Sequence, residues 1–145
     1  VRGRTALAQG RGELLRPVEL GGKYYVLVFP GASVSTAQVF QHPALRRDSR
    51  QLRLEDLPVS AGRNDCLDVV LQLYPEFCSI LDDMRTHGEP RMSGTGSTFF
   101  LQFSDKNAAI DAASQLKCRY NVRAVRGVDR SPLHDLLESG EFRGQ

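Results

Sequence analysis

The sequence predicts an α+β fold in which helices cover one face of an antiparallel β-sheet. Segments at 23–29, 98–103 and 120–125 are rich in the β-branched and aromatic residues typical of strands. Between them, the segments 64–84 and 105–116 carry apolar residues at helical spacing. The resulting order is strand, helices, strand, loop, strand, helix, strand. This βαββαβ order is that of a ferredoxin-like split βαβ sandwich.

The first part of the chain predicts a hairpin and then a strand. Residues 4–9 and 13–18 flank Gly10-Arg11-Gly12, a turn signal between two short strand-like runs. Lys23 to Phe29 is almost continuously apolar, which favours a central strand covered on both faces. Pro30-Gly31 ends that strand.

Capping residues and prolines set the predicted helix limits. Ser35 is a good N-cap for a short helix through Phe40, which His42-Pro43 ends. Asn64 is predicted to cap the next helix, and Asp105 or Ser104 to cap a later one. The predicted buried stripes of the two central helices are Leu67, Val70, Leu71 and Tyr74, and then Phe77, Ile80, Leu81 and Met84. A last short helix is expected from Ser131-Pro132 through Leu137.

Composition predicts an ordinary globular domain. The chain has 145 residues, with 41% hydrophobic and 25% charged, and its net charge is +2. That balance does not indicate a nucleic-acid partner. The arginines at 46, 47, 50 and 53 are interpreted as a solvated surface inside a loop over 43–62.

Other classes of function find no support in the residue pattern. The three cysteines lie far apart without a C-x-x-C motif, so neither disulfides nor a metal site is predicted, and Cys66 and Cys78 are expected to be buried. No signal peptide or membrane segment is apparent, which makes a cytoplasmic location the expectation. The chain begins at Val1 in what resembles the middle of a β element, so we expect it to be a fragment.

A glycine and hydroxyl loop is the strongest candidate for a functional site. Gly94, Thr95, Gly96 and Ser97 stand directly before a strand. The two glycines permit positive φ and close approach, and loops of this composition can cradle phosphate or brace a neighbouring loop that does. The alternative is a plain hairpin turn, since such connections often contain glycine.

Taken together, the segments resemble the GHMP small-molecule kinases. The strand, Pro-Gly turn and helix at 25–40, the Asn-Asp segment at 64–65, the Gly-Thr-Gly loop at 94–96 and the Ser-Pro-Leu-His signature at 131–134 stand in the family's order. Within the family they look most like the kinases that act on a cytidine-diphosphate sugar alcohol in non-mevalonate isoprenoid synthesis. The resemblance runs nearly end to end.

The resemblance implies a fold, a domain division and specific roles. Residues 1–20 would be the tail of an N-terminal kinase domain and 21–145 the GHMP kinase C-terminal domain. Thr36 and Phe40 would bind substrate, with Phe40 stacking on cytosine. The Gly94–Ser97 loop would support the ATP-phosphate loop. The spacing alone favours a core position for Phe40, and the alternative for Thr36 is a first-turn residue without a ligand.

The sequence also departs from the family pattern. The motif P-x-x-x-G-L-G-G-G-S-S-D, the catalytic lysine and the catalytic aspartate have no counterparts. Thr98-Phe99 replaces the Cys-Val often found there. ATP and Mg would therefore serve the parent enzyme, with no cofactor and no catalytic residue in this chain alone. The implied partners are the cytidine-diphosphate substrate and ATP, without nucleic acid or membrane, and a homodimer is left open.

Two alternatives come from other classes of function. A freestanding ferredoxin-like interaction or regulatory module needs only the fold. An RNA-recognition domain shares the βαββαβ order, and Phe100, Leu101 and Phe103 sit as in its RNP1 strand. However, Ser97 and Thr98 occupy the positions where that strand expects a glycine and an aromatic residue.

Overall fold

The computed structural model describes residues 3–50 and 63–139. By its internal contacts the chain divides into two units, Val1–Lys23 with Arg126–Gln145, and Tyr24–Val125. In the part described, no helix has the length and apolar character needed to cross a membrane. The strands within these ranges are β1 (Ala6–Gln9), β2 (Leu14–Pro17), β3 (Tyr24–Phe29), β4 (Arg91–Met92), β5 (Phe99–Phe103) and β6 (Asn121–Arg126). The helices are α1 (Thr36–Gln41), α2 (Leu67–Leu73), α3 (Phe77–Arg85), α4 (Lys106–Leu116) and α5 (Pro132–Glu138).

The smaller unit contains the predicted hairpin. Strands β1 and β2 pair antiparallel across the Gly10 and Gly12 turn. The two carboxylate oxygens of Asp129 accept hydrogen bonds from the N–H groups of Leu20 and Gly21, each at 3.0 Å. The backbone carbonyl of Asp129 also accepts from Thr5 N–H at 2.8 Å. The hairpin is therefore fixed to the segment that precedes α5.

The larger unit contains a four-stranded sheet in the order β4-β5-β3-β6. Strand β3 lies antiparallel to β5, with Tyr24 opposite Phe103 and Val28 opposite Phe99. Strand β4 lies antiparallel to β5, with Met92 opposite Phe99. Along the chain, helices follow β3 and β5, which are the first and third of these four strands in sequence. This arrangement is the split βαβ topology. The predicted α+β fold is confirmed.

Helices cover one face of this sheet. Alternate residues of a strand share a face, so the buried Val26 and Val28 of β3 lie on one side together. The same core contains Val39, Val69, Val70, Phe77, Ile80, Leu81, Met84, Met92, Phe99, Leu101, Ala109, Ala112 and Leu116. On the other face, Leu27 is only half-buried, and the rings of Tyr25 and Phe100 meet edge-on at 6.0 Å between centroids. The prediction that β3 is covered on both faces is wrong, because its burial alternates.

Most predicted helix signals are confirmed. Ser35 caps α1, its Oγ accepting from Gln38 N–H, and Asp105 caps α4, its Oδ1 accepting from Ala108 N–H at 2.8 Å. The α3 stripe is buried as predicted. In α2, however, Val70 is the one residue of the predicted stripe that is fully buried, beside Val69. The other three, Leu67, Leu71 and Tyr74, are partly buried against the core.

Two predictions from residue type are wrong. Asn64 does not cap α2, because Cys66 occupies the N-cap position and makes no capping bond with its side chain. Cys78 is exposed, although its neighbours at Phe77 and Ile80 are buried. The helix turns Cys78 away from the core, since adjacent residues on a helix do not share a face. Residues 51–62 of the predicted loop lie outside the described residues.

Candidate functional site

The glycine loop connects β4 to β5 in a tight hairpin. The N–H of Ser93 donates to the carbonyl of Thr98, and the N–H of Gly96 donates to the carbonyl of Ser93, each at 2.9 Å. Gly94 has a φ of +57° and Gly96 a φ of +95°. A side chain is strained at such angles, so the predicted positive φ at both glycines is confirmed. Locally the loop is a hairpin turn, and any further role depends on what surrounds it.

Asn64 fastens this loop to the segment before α2. Its Nδ2 donates to the carbonyl of Met92 at 3.0 Å and to that of Gly94 at 2.7 Å. Its Oδ1 accepts from the N–H of Cys66 at 3.0 Å. The side-chain amide therefore uses both its donor and its acceptor ends. An amide offers two donors and an acceptor on one short side chain, whereas a hydroxyl has only one donor, a carboxylate has none and an alkyl group has neither donor nor acceptor.

The loop also contacts the start of α1. The hydroxyl oxygens of Thr36 and Thr95 lie 2.9 Å apart in a hydrogen bond. A Cβ placed on Gly96 would lie 3.2 Å from the sulfur of Met92 and 3.5 Å from Val34 Cγ2. The structure thus joins Thr36 directly to the loop. Ser97 is half-buried in the same loop.

Phe40 lies on the same helix, one turn after Thr36, and it is not a core residue. Its side chain is 55% exposed, while Val39 beside it is fully buried. The ring borders a cleft of about 680 Å³ whose walls also include Leu45, Met92 and Gly94. An exposed aromatic face beside a cleft can stack on a flat ligand.

Arginines give the cleft a positive charge. Of the residues that the structure describes, Arg46, Arg47, Arg63 and Arg91 line it, together with one carboxylate, Asp65. Arg63 is paired with that carboxylate at 3.1 Å. The interpretation of the arginine segment as solvated surface is therefore incomplete, since two of its members, Arg46 and Arg47, form part of this wall.

The thiol of Cys66, which lines the cleft, is not activated as a nucleophile. Burial, and to a smaller extent the negative charge of Asp65, raises the pKa of Cys66 above its ordinary value. Both causes disfavour the thiolate, which is the reactive form. Among the described residues, no group of three or more histidine, cysteine or acidic side chains is placed to hold a metal ion. The cleft is thus suited to binding through cations and an aromatic ring.

The family is shown by a match that runs from the loop after α1 to the start of β6. The family model for the C terminal of GHMP kinases matches residues 43–122. This chain belongs to that family. The matched segment includes Asn64, the arginine-lined cleft wall and the glycine loop, so the resemblance stated from the motifs is confirmed.

Two curated proteins that are similar to this chain carry the same name. A 4-diphosphocytidyl-2-C-methyl-D-erythritol kinase from Halorhodospira halophila is 42% identical over 147 residues, covering 99% of this chain and 51% of the relative. The kinase of the same name from Pseudomonas putida strain W619 is 40% identical over 139 residues, covering 96% and 49%. The chain therefore spans about half the length of the curated relatives it matches.

A solved structure supports the fold. The crystal structure of a 4-(cytidine 5'-diphospho)-2C-methyl-D-erythritol kinase superposes with a TM-score of 0.72 at 29% identity. The match covers 86% of this chain and 50% of that one. The predicted fold of the GHMP kinase C-terminal type is confirmed by this similarity.

Sequence reasoning missed two features of the site. Its residue type predicts that Asn64 caps a helix, although its side chain reaches a loop 30 residues later in the sequence. The arginines of the cleft come from segments separated by up to 45 positions, from Arg46 to Arg91. One signal was available in advance, because Arg46 and Arg47 follow Phe40 closely.

Proposed function

We propose that this chain is the C-terminal part of an ATP-dependent kinase that phosphorylates 4-diphosphocytidyl-2-C-methyl-D-erythritol in non-mevalonate isoprenoid synthesis. The observation that carries the proposal is one continuous surface. Exposed Phe40 lies one helical turn from Thr36, whose hydroxyl bonds Thr95 of the glycine loop. The names of the relatives supply the substrate, and their length supports a second half in the parent enzyme.

On this proposal the chain binds the substrate and supports the nucleotide loop. Phe40 stacks on the cytosine ring, and the Thr36 hydroxyl lies beside it. Residues 94–97 brace the loop that holds the ATP phosphates, through backbone shape rather than a catalytic side chain. Residues 1–20 belong to the N-terminal kinase domain and 21–145 to the C-terminal domain, in the cytoplasm.

The chemistry of phosphoryl transfer is assigned elsewhere in the parent enzyme. Transfer needs groups that position the phosphates and neutralise the developing charge, and magnesium supplies part of that charge when ATP is bound. We assign magnesium to no residue of this chain. The family's phosphate-binding motif, catalytic lysine and catalytic aspartate have no counterparts in the sequence, and we therefore expect the chain alone to lack kinase activity.

A chimera tests the proposal. The N-terminal half of the Halorhodospira halophila relative, fused to this chain, is expected to phosphorylate 4-diphosphocytidyl-2-C-methyl-D-erythritol with ATP. The intact relative is the positive control, and its N-terminal half alone and this chain alone are the negative controls. A folded chimera without activity, or activity of this chain alone, would contradict the proposal.

A further inference from the structure

The cleft beside Phe40 concentrates positive charge in a chain that is nearly neutral. Among the described residues, its lining carries four guanidinium groups and one carboxylate, a formal charge of +3. The whole chain has a net charge of only +2. Such a concentration of one sign within a cleft attracts ligands of the opposite sign.

Two of the four arginines are engaged in holding the wall. Arg47 donates to the carbonyl of Phe40 at 2.7 Å and to that of Leu45 at 3.1 Å. Arg63 donates to Asp65 at 3.1 Å and to the hydroxyl of Ser49 at 2.6 Å. These contacts keep the loop after α1 against the start of α2.

The other two arginines are available to a ligand. The side chains of Arg46 and Arg91 make no hydrogen bond or ion pair with any residue that the structure describes, although the backbone of Arg91 pairs with Phe100 in the sheet. Arg46 is exposed. Arg91 is half-buried, and its Nε is shielded from solvent without an acceptor. A shielded donor without a partner is costly, and an anion toward which the Arg91 side chain turned would supply the missing acceptor.

We propose that Arg46 and Arg91 form a binding subsite for the diphosphate group of a nucleotide. Guanidinium groups present planar paired donors that match phosphate oxygens. The cleft charge of +3 suits a diphosphate better than a single carboxylate, and the exposed Phe40 ring offers a place for the attached base. The choice of a nucleotide as carrier rests on the proposed function, whereas the anion subsite rests on the arginines.

Titrations of this chain with four ligands test the subsite. Cytidine, cytidine diphosphate, adenosine diphosphate and inorganic pyrophosphate are compared by calorimetry at low salt, with the arginine Nε–H signals followed by NMR. We expect the diphosphates to bind and to shift the Arg91 Nε–H signal. Because hydrogen bonds to charged groups are strong, Arg46→Gln and Arg91→Gln should each weaken diphosphate binding at least about tenfold. Added salt should weaken it further.

Arg123→Gln is the matched control. Arg123 is an exposed arginine on β6, at the edge of the sheet opposite β4. Its replacement removes the same charge and should leave diphosphate affinity nearly unchanged. If Arg91→Gln lowers the melting temperature, Arg91→Lys keeps the charge and removes the Nε–H. That variant should still bind diphosphate more weakly than the parent chain.

The outcomes separate this inference from the proposed function. Tighter binding of cytidine diphosphate than adenosine diphosphate assigns the subsite to the substrate, and the reverse assigns it to the phosphate donor. Arginine-dependent pyrophosphate binding without any binding of cytidine supports the subsite while contradicting the stacking role of Phe40. Diphosphate affinity that is absent, or equal in the parent chain and both glutamine variants, overturns the inference.

Discussion

Replacing Phe40 by alanine separates a stacking role from a structural one. Stacking of a base on an aromatic side chain is worth roughly 1–3 kcal/mol. In the chimera, Phe40→Ala should therefore raise KM for the cytidine substrate by about 5- to 150-fold. KM for ATP should change little, because the predicted contact is with cytosine alone.

The exposure of Phe40 sets a low limit on its contribution to stability. Burying a large apolar side chain completely is worth about 1.5–3 kcal/mol, and 55% of the Phe40 side chain is exposed. The loss of folding free energy should thus be about 1 kcal/mol. Phe77, at 1% exposed, would cost about 3–5 kcal/mol if it were changed to alanine.

Steady-state kinetics with each substrate varied in turn, together with urea unfolding, measure both quantities. Leu73→Ala is the control, since Leu73 is also a partly exposed apolar residue, at 37%, but does not line the cleft. A variant that weakens both substrates equally and loses several kcal/mol of stability would refute the stacking role. An unchanged KM for the cytidine substrate would refute it as well.

Three further predictions concern the loop and one partly buried hydrogen bond. Gly96→Ala should cost about 1–2 kcal/mol of stability, because φ is positive and the sulfur of Met92 is close; kinetics with ATP varied should show greater damage than for Thr95→Ser. Asn64→Asp should raise KM for ATP more than Asn64→Gln does, because aspartate loses both donors to the loop, and equal kinetics for the two variants would contradict this. Burial and, to a smaller extent, the hydrogen bond to Asp83 raise the pKa of Tyr120 in the folded protein. The protonated side chain therefore stabilises the fold at pH values below the ordinary tyrosine pKa of about 10, and this stabilisation is lost as the pH rises through the pKa of the folded state. Urea unfolding should show that Tyr120→Phe loses less unfolding free energy at alkaline pH than the parent chain does. Identical pH profiles for the two proteins would contradict a role for Tyr120.

The fold was predictable because its signals are local. The stripe of Phe77, Ile80, Leu81 and Met84 repeats at helical spacing, and burial follows it. Ser35 caps its helix through its own near neighbours, within three residues. Such features depend on residues close in sequence, and periodicity and capping rules describe them well.

The details of the site were less predictable because they depend on distant contacts. Asn64 has the residue type and position of a cap, and the two carbonyls near Gly94 determine its actual role. Spacing alone favours a core position for Phe40, and that prediction is wrong because Val39 takes the buried face of α1 and leaves Phe40 exposed. Arg46 and Arg91 come together only in the fold, so net charge did not reveal them.

The pairing of β3 with β5 explains why the candidate site forms where it does. The two strands are antiparallel, and Val28, near the end of β3, lies opposite Phe99 at the start of β5. The segment that leaves β3 and the loop that enters β5 must therefore meet at the same end of the sheet. The segment after β3 carries Thr36 and the loop carries Thr95, and their hydroxyls are hydrogen-bonded across 59 positions of sequence. Antiparallel pairing thus brings together the predicted substrate-binding helix and the predicted nucleotide loop, and Asn64 then fixes that loop from the side of α2.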